Sequence, residues 1–457
     1  MSEVAGGYAY VLAAVCFIVA LKALSSPRRA RVGNLVGAVG AAIAVLVVFA
    51  VERPANLLPI LGAILVGGAV GILAARRVAM TAMPQMVAIF NGLGGAAGAI
   101  VALLEIAATS AGTNRGELAV AGFTILIGSV TFSGSMIAFA RLQELMTGRP
   151  LVFPGMRWIF GASLAATVAA GVWIPFGAPY WVALVLAAVS LALGVIFVLP
   201  VGGADVPVVI ALLNAFSGIT VAAGGYVLGN SLLIVAGTLV GASGTLLTHL
   251  MAKAMGRSLT NILFGAFAGG STLGAATVSE RPVRSAGPED VAILLRYARR
   301  VIVAPGYGLA VSQAQHALRD LADELEQRGV EVLYAIHPVA GRMPGHMNVL
   351  LAEADVPYDK LRDMEQINPE FRTADVALVV GANDVVNPAA HTTPGSPIYG
   401  MPILAAADAK SIVFMKRSMR AGFAGIENEL MHDPKTTMLF GDAKDSLRKL
   451  VAAVKNL

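Results

Sequence analysis

Long apolar runs of about 20 residues fill almost all of residues 1–255 and constrain the fold more than any other feature. About 20 apolar residues in a helix cross the hydrocarbon core of a bilayer, and lipid offers no hydrogen-bond partners to an open, irregular backbone. We therefore predict a polytopic α-helical membrane domain of about nine transmembrane helices. The predicted spans lie near 7–24, 33–51, 57–75, 85–105, 118–140, 158–175, 179–199, 207–228 and 231–252.

Arginines between the spans predict the orientation of the helices, because loops rich in lysine and arginine stay on the cytoplasmic side. Alternate loops carry Arg28, Arg29, Arg31, Arg76, Arg77, Arg141, Arg149 and Arg157. The opposite loops offer only Arg53 and Arg115, each close to an acidic residue. We expect the N-terminus outside the cell and the C-terminal domain in the cytoplasm, which requires an odd number of spans.

Charge and cysteine content exclude other classes of protein. The loop arginines account for much of the formal net charge of +5, so we expect no nucleic-acid partner. The single cysteine, Cys16, lies inside the first apolar run, so neither a disulfide framework nor a cysteine metal site can form within one chain, and no metal is predicted. The first run lacks a basic n-region and is interpreted as a retained helix, not a signal peptide.

Several polar side chains fall at membrane depth, where they are costly and usually face a partner or a wet path. They are Asn91, Ser133, Ser135, Asn214, Ser217 and His249, with Asp205 just before the eighth span. Each could form an interhelical hydrogen bond with no role in transport. As a group they indicate a polar proton path among spans four, five, eight and nine.

Residues from about 282 onward have the mixed composition of a soluble domain. Apolar strands alternate there with helical patterns, which predicts an α/β doubly wound, Rossmann-like domain with a parallel sheet. The predicted strands are Val301–Ala304, Val330–Ile336, Val376–Gly381, Ser411–Met415 and Thr437–Phe440. We divide the chain into a membrane domain at 1–255, a hinge and linker at 256–288, and a nucleotide-binding domain at 289–457.

Gly306 and Gly308 follow the first strand and precede a helical pattern. Such glycines permit a tight turn and let a pyrophosphate approach the backbone at a helix N-terminus. An NAD site usually adds an acidic residue about 20 residues later, but the second strand here ends in Tyr334–His337. A 2′-phosphate needs fixed positive charge and hydroxyl donors, which favours NADP(H), although a solvated basic surface is the alternative. The residues that would supply them are Lys416, Arg417 and Ser418.

Six motifs occur in order: PGYGLAV at 305, HPVAGRMPGHMNVLLAEA at 337, GANDVVNPAA at 381, GMPIL at 400, KRSM at 416 and GDAK at 441. Together with the membrane half, the chain resembles the β subunit of proton-translocating (Re/Si-specific) NAD(P) transhydrogenases over essentially its whole length. The resemblance implies that NADP(H) binds here, reversed on the sheet, and that NAD(H) binds to a partner α subunit. It also implies a bacterial inner membrane, a dimer of α–β units, and no activity without the α subunit.

The resemblance implies a role for each residue that matches the motifs. Asp384 would lie by the nicotinamide and link its protonation to the state of the nucleotide, unless it only stabilises a turn. The lid over the cofactor would contain Phe423 and Gly425; many relatives have tyrosine at the first position, so stacking is expected there without a hydroxyl. The remaining cofactor-binding residues would be Gly306, Tyr307, Gly308, Ala310, Val311, Arg342, Gly345, His346, Gly381, Ala382, Asn383, Lys416, Arg417, Ser418, Gly441 and Asp442.

Asn91 departs from the pattern of the family, because many relatives have histidine at this position. Asparagine does not titrate near neutral pH, so the proton carrier is expected to be His249 or, preferably, a residue of the α subunit. The resemblance implies that inward proton movement is coupled to hydride transfer from NADH on the partner to NADP⁺ bound here. A rival interpretation is a channel or secondary transporter gated by a regulatory nucleotide domain, but the sequence offers no selectivity-filter motif.

Overall fold

Nine long apolar helices form the N-terminal part of the computed structural model, which describes all residues except 1–2, 25–26, 52–53, 55, 80–81, 109–113, 144, 147–149, 255–257, 265–280, 342–344, 395, 397 and 423. Within this described part, nine helices are long and apolar enough to cross a membrane, as predicted. They are α1 (Glu3–Leu24), α2 (Pro27–Val51), α3 (Leu57–Arg77), α4 (Met83–Ala107), α5 (Arg115–Leu142), α6 (Met156–Trp173), α7 (Tyr180–Val198), α8 (Val206–Val227) and α9 (Ser231–Ala254).

Several arginines that the sequence places in loops lie in the terminal turns of helices. Arg141 is in the last turn of α5 and is fully buried, because the helix continues to Leu142. Arg76 and Arg77 form the last turn of α3, and Arg157 lies in the first turn of α6. Arg76, Arg77 and Arg157 are exposed, whereas Arg141 is buried, so Arg141 needs a different physical explanation.

Glycines set the spacing of the central helices. A methyl group added at Gly218 would overlap the backbone of α9, and one added at Gly95 would approach the backbone oxygen of Gly128 on α5 to 2.8 Å. Such close contact between backbones is the usual function of glycine in membrane helices. Helices α4, α5, α7, α8 and α9 pack around one another, α1 pairs with α2, and no described residue of α3 is buried. A short helix, α10 (Leu259–Phe264), packs on α9.

The rest of the described chain is an α/β domain, called the sheet domain below. Its strands are β1 (Arg300–Pro305), β2 (Glu331–Ile336), β3 (Leu361–Asp363), β4 (Val376–Val380), β5 (Ser411–Lys416) and β6 (Thr436–Phe440). Its helices are α11 (Pro288–Arg296), α12 (Tyr307–Val311), α13 (Gln315–Gln327), α14 (His346–Glu353), α15 (Met364–Ile367), α16 (Ala389–Thr392) and α17 (Ala443–Lys455). Apolar side chains are buried on both faces of the sheet.

The strands form one parallel sheet in the order β3-β2-β1-β4-β5-β6, which confirms the predicted Rossmann-like architecture. The direction of strand succession reverses between β1 and β4. At such a switch point the loops that follow the two strands diverge and leave a crevice at the carboxyl end of the sheet. This crevice is where the fold predicts a ligand.

The end of the predicted linker is attached to the edge of the sheet. Ala286 donates its backbone N–H to Met438 O at 3.0 Å, and Met438 N donates to Arg284 O at 2.7 Å. Ser285 and Met438 thereby form a parallel bridge beside β6. Residues 265–280 of the predicted hinge lie outside the described chain, so the domain boundaries remain a prediction.

Candidate functional site

A cavity of about 720 Å³ opens at the carboxyl ends of β1, β4, β5 and β6, in the predicted crevice. This volume lies within the range of sites that hold small molecules and cofactors. From the sheet domain, the lining includes Gly306, Tyr307, Gly308, Val311, Gly381, Ala382, Asn383, Asp384, Lys416, Arg417, Ser418, Gly441 and Asp442. From the membrane helices and their loops, it includes Leu142, Gly203 and Pro207. The cavity therefore lies between the two parts of the chain.

The first glycine loop lies directly against the backbone after β4. Gly306 N donates to Val380 O at 2.9 Å, and Gly308 N donates to Gly381 O at 2.8 Å. A methyl group at Gly306 would overlap the backbone of Ala382, and one at Gly308 would lie 2.7 Å from the Cα of Gly381. These two positions leave no room for a side chain, so the glycines bring the backbones of two loops together at the base of the cavity.

Asp384 holds the segment that the resemblance identifies as a lid. Its Oδ2 accepts a hydrogen bond from Ala424 N at 2.9 Å, and its Oδ1 accepts one from the Asn383 side-chain amide at 2.9 Å. Asn428 Nδ2 donates to Asn383 O at 2.9 Å from the far side of the same segment. The carboxylate thus connects the loop after β4 with the backbone at Ala424, and the role of this segment as a lid stays a prediction.

Within the basic run after β5, the three residues have different surroundings. Lys416 is half-buried, and its Nζ donates to Asn383 Oδ1 at 3.0 Å and to Arg420 O at 2.6 Å. Burial lowers the pKa of this ammonium to about 8, although the nearby Asp384 carboxylate raises it. Arg417 and Ser418 are exposed where they line the cavity. Their side chains are therefore better placed than Lys416 to meet an anionic ligand.

The loop after β2 lies beside the cavity. Its Val339, Ala340 and Gly341 line the cavity, whereas His346 is fully buried behind them, with its ring centroid 6.2 Å from that of Tyr307. Gly345 precedes α14 as its N-terminal cap. Arg342 lies outside the described residues. The structure thus places His346 next to the first glycine loop, without contact to the cavity surface.

His337 connects the loop after β2 to a neighbouring segment of the chain. Its Nδ1 accepts the backbone N–H of Val339 at 3.2 Å, so Nε2 carries the proton and donates to Pro402 O at 2.8 Å. Burial lowers the pKa of the ring to about 4. A neutral histidine therefore connects the loop after β2 with the segment before β5.

The pKa of His337 predicts a loss of stability in mild acid. In the unfolded chain the ring gains a proton below its ordinary pKa of 6.5, whereas the folded ring stays neutral down to about 4. Stability should therefore fall as the pH drops from 6.5 to 4, by at most on the order of 3 kcal/mol. Hydrogen exchange of the β2 amides should lose protection across this window, and less so in His337→Gln. Identical pH dependence in both proteins would contradict the assignment.

Other candidate residues of the sheet domain lie nearby in different environments. Asp442 caps α17, because its Oδ1 accepts backbone N–H groups from Lys444 at 3.0 Å and Asp445 at 3.4 Å. Ala310 is fully buried and does not line the cavity. Gly425 also lies off the cavity surface, and Phe423 is outside the described residues. Arg420 also lines the cavity. Sequence reasoning missed this residue, because it lies outside the motifs, four residues after Lys416.

In the membrane helices, a polar junction joins α4, α5 and α8. Asn91 Nδ2 donates to Ser135 Oγ at 3.0 Å, and Ser217 Oγ donates to Asn91 Oδ1 at 2.8 Å and approaches Asn91 O at 3.2 Å. The asparagine amide thus bridges two serines on neighbouring helices. This contact brings together three of the predicted proton-path residues at one depth.

The other predicted path residues do not take part in this junction. Ser133 donates to Ser129 O at 3.1 Å within its own helix and faces α7. Asn214 is half-buried on α8, and His249 is exposed on α9. Asp205 is buried in the turn before α8, close to the cavity-lining Gly203 and Pro207. The exposed position of His249 gives no support to its role as the carrier that replaces a histidine at position 91.

Taken together, the fold and the site define a class: a multi-pass membrane protein whose C-terminal parallel-sheet domain has a glycine-lined cavity with a basic side, suited to an anionic cofactor. Residues 7–453 match the protein family described as "NAD(P) transhydrogenase beta subunit". The chain belongs to this family.

Curated relatives agree with the family match. The NAD(P) transhydrogenase subunit beta of Rhodospirillum rubrum is 48% identical over 455 residues, which cover 98% of this chain and 98% of the relative. The corresponding protein from a strain of the same species matches with the same identity and coverage. Membership of the family implies the use of a nicotinamide nucleotide, an alpha-subunit partner and a membrane.

Proposed function

We propose that this chain couples inward proton movement to hydride transfer from NADH, bound on an α subunit, to NADP⁺ bound in the cavity of the sheet domain. The observation that supports this proposal best is the position of the cavity. Its lining combines the glycine loop and the basic run with Leu142, Gly203 and Pro207 from the membrane part. A nucleotide there lies within reach of both the sheet and the helices that carry the polar junction.

The chemistry of the lining fits NADP(H). Gly306 and Gly308 bring the backbones of the loops after β1 and β4 together, and the pyrophosphate would lie against this glycine-rich base of the cavity. Arg417 offers a forked guanidinium and Ser418 a hydroxyl to a 2′-phosphate, which NAD(H) lacks. When bound, NADP(H) supplies the nicotinamide carbon that accepts or donates the hydride. The chain itself binds and orients the cofactor and, through Asp384, holds the lid.

A proton gradient can set the direction of this reaction. NADH and NADPH differ only by a phosphate far from the nicotinamide, so hydride transfer between them is nearly isoenergetic in solution. One proton that crosses 100 mV contributes about 2.3 kcal/mol, which shifts an equilibrium roughly fifty-fold. The proton must therefore act on the protein that holds the nucleotide. We propose that it acts at Asp384, because protonation of this carboxylate would weaken its hydrogen bond to Ala424 N in the lid.

The membrane part of this chain supplies only a portion of the proton path. Asn91 cannot titrate near neutral pH, and in the junction its amide connects Ser135 with Ser217. We propose that this junction orders water and that the titrating group belongs to the α subunit. Asn214 and Asp205 would continue the path towards the sheet domain.

We further propose that the protein lies in a bacterial inner membrane, with its sheet domain in the cytoplasm, and that it assembles as a dimer of α–β units.

Vesicles that contain this chain together with its α subunit provide the test. With NADH and NADP⁺ outside, on the side of the sheet domain, a gradient that drives protons towards that side should raise the rate of NADPH formation about tenfold or more. Vesicles with this chain alone should form no NADPH. A rate of NADPH formation that does not change with the gradient would contradict the proposal. Flux of another solute that responds to nucleotide without hydride transfer would favour a nucleotide-gated transporter instead.

A further inference from the structure

Arg141 is the most deeply buried charged side chain among the described membrane helices, with 0% of its surface exposed. Its guanidinium donates one hydrogen bond to Val201 O and another to Leu199 O. Its Nε has no hydrogen-bond partner among the described residues. Burial of a cation is costly in a protein interior and more so at the edge of a membrane, so a residue that only marked orientation would point into water.

The two carbonyl groups belong to the turn that joins α7 to α8. Leu199 follows the last residue of α7, and Leu199 O also accepts the backbone N–H of Leu151 at 3.0 Å. Val201 is fully buried, and four residues later Asp205 ends the turn at the start of α8. Arg141 thus satisfies carbonyls that have no partner further along the helix, and it fixes the turn to the end of α5.

This turn and the end of α5 together form the floor of the nucleotide cavity, the name used here for Leu142, Gly203 and Pro207. Leu142 is the residue next to Arg141 in the chain. Gly203 and Pro207 flank Asp205. The guanidinium therefore lies where the two components of the floor meet, and its two hydrogen bonds hold them in one position.

The same helix also contains one end of the polar junction. Ser135 lies six residues before Arg141, about 9 Å away along the helix axis, and accepts its hydrogen bond from Asn91. Ser217 on α8 completes the junction. Helices α5 and α8 are therefore connected by polar contacts twice: through Asn91 within the membrane, and through Arg141 and the turn beside the cavity.

We infer that Arg141 is a positioning residue that transmits a change at the Asn91 junction to the floor of the nucleotide cavity. The inference rests on the proposed function. A shift of α5 at Ser135 moves Arg141, and the guanidinium moves the α7–α8 turn with it. Lysine has one charged nitrogen without the planar fork, so it cannot hold both carbonyl groups in the same geometry.

The test uses the complete complex of this chain with its α subunit in vesicles, with Arg141→Lys and Arg141→Met. The measured quantity is the ratio of NADPH formation with and without a proton gradient. Arg141→Met should lower this ratio at least fivefold and Arg141→Lys at least twofold, whatever the rate without a gradient. Arg157→Met is the control, because Arg157 is exposed on α6, where its guanidinium stacks on Trp158 at 5.3 Å; its ratio should stay unchanged.

A purely structural role would lower both rates by one common factor and leave the ratio intact, and that result would overturn the inference. If the methionine variant fails to accumulate, the ratio in the lysine variant decides the question by the same criterion. Failure of the proposed function would be recognised separately, because the unmodified complex would then show no response to the gradient.

Discussion

Arg417→Ala should lower the preference of this chain for NADPH over NADH about 100-fold. Arg417 lines the cavity, is exposed, and carries a planar fork that can donate two hydrogen bonds to a 2′-phosphate. Hydrogen bonds to a charged group contribute about 1.5–3 kcal/mol each, so the loss of two removes roughly 3 kcal/mol, or about 100-fold in affinity. NADH has no phosphate at this position, so its affinity should change little.

Fluorescence titration of the purified full-length chain with each reduced nucleotide measures this preference. Arg448→Ala is the matched control, because Arg448 is exposed on α17 and does not line the cavity. Lys416→Met should affect the preference less than Arg417→Ala, since Asn383 and Arg420 already hold its ammonium. An unchanged preference for NADPH over NADH in Arg417→Ala would show that the 2′-phosphate does not bind on this side of the cavity.

Gly306→Ala should abolish measurable NADP(H) binding and destabilise the sheet domain by about 3 kcal/mol. The added methyl group would overlap the backbone of Ala382 and Gly381, and backbone cannot turn away as a flexible side chain can. Overpacking of a well-filled interior typically costs about 1–3 kcal/mol, and this position is near the upper limit because both contacts are main chain. The ends of β1 and β4 would have to separate, which would deform the base of the cavity.

Thermal unfolding and NADPH titration of the same preparation measure the two effects. Gly287→Ala is the control, since Gly287 lies in open space with φ of −78° and should tolerate a methyl group. Normal NADPH affinity in Gly306→Ala would mean that the nucleotide does not use the first glycine loop. Because unfolding and binding are measured together, a destabilised but binding-competent variant would be distinguished from one that has lost the site.

The membrane helices and five of the six strands could be predicted from the sequence because each has a strong local pattern. Apolar runs define the spans, and short β-branched segments between turns define β1, β2, β4, β5 and β6. The strand β3 was not predicted, because its three residues, Leu361–Asp363, are too few and too polar to show a period. Its place at the edge beside β2 is determined by pairing with Tyr334–Ile336, which no local pattern records.

The cavity could be anticipated only in part. Glycine turns and the residues after strand ends are local features, and the fold brings them to one edge of the sheet, so many of the expected lining residues lie in the cavity. The contributions of Leu142, Gly203 and Pro207 could not be predicted, because these residues lie far in the sequence from Gly306, the first lining residue of the sheet domain. Lys416 and Arg417 also differ in a way that the sequence does not show. Lys416 donates hydrogen bonds to Asn383 and Arg420, whereas Arg417 is exposed in the cavity.

The buried contacts of Arg141 could not be predicted from the positive-inside rule, although the rule itself holds. The positive-inside rule counts an arginine near a span as a topological signal, and it is insensitive to a shift of the helix end by two residues. The predicted fifth span ended at 140, and α5 ends at Leu142. That small difference moves a guanidinium from a loop into a buried contact with the turn between α7 and α8.

The attachment of residues 284–286 to β6 has a mechanical consequence. The segment runs parallel to β6, and its hydrogen bonds from Ala286 N to Met438 O and from Met438 N to Arg284 O lie across the direction of the chain. Tension applied from the membrane side would load both bonds in shear at once, whereas a hairpin would unzip them one at a time. The connection to the sheet is therefore stiff along its length, and a pull on it acts on the strand whose carboxyl end leads to Gly441 and Asp442 in the cavity.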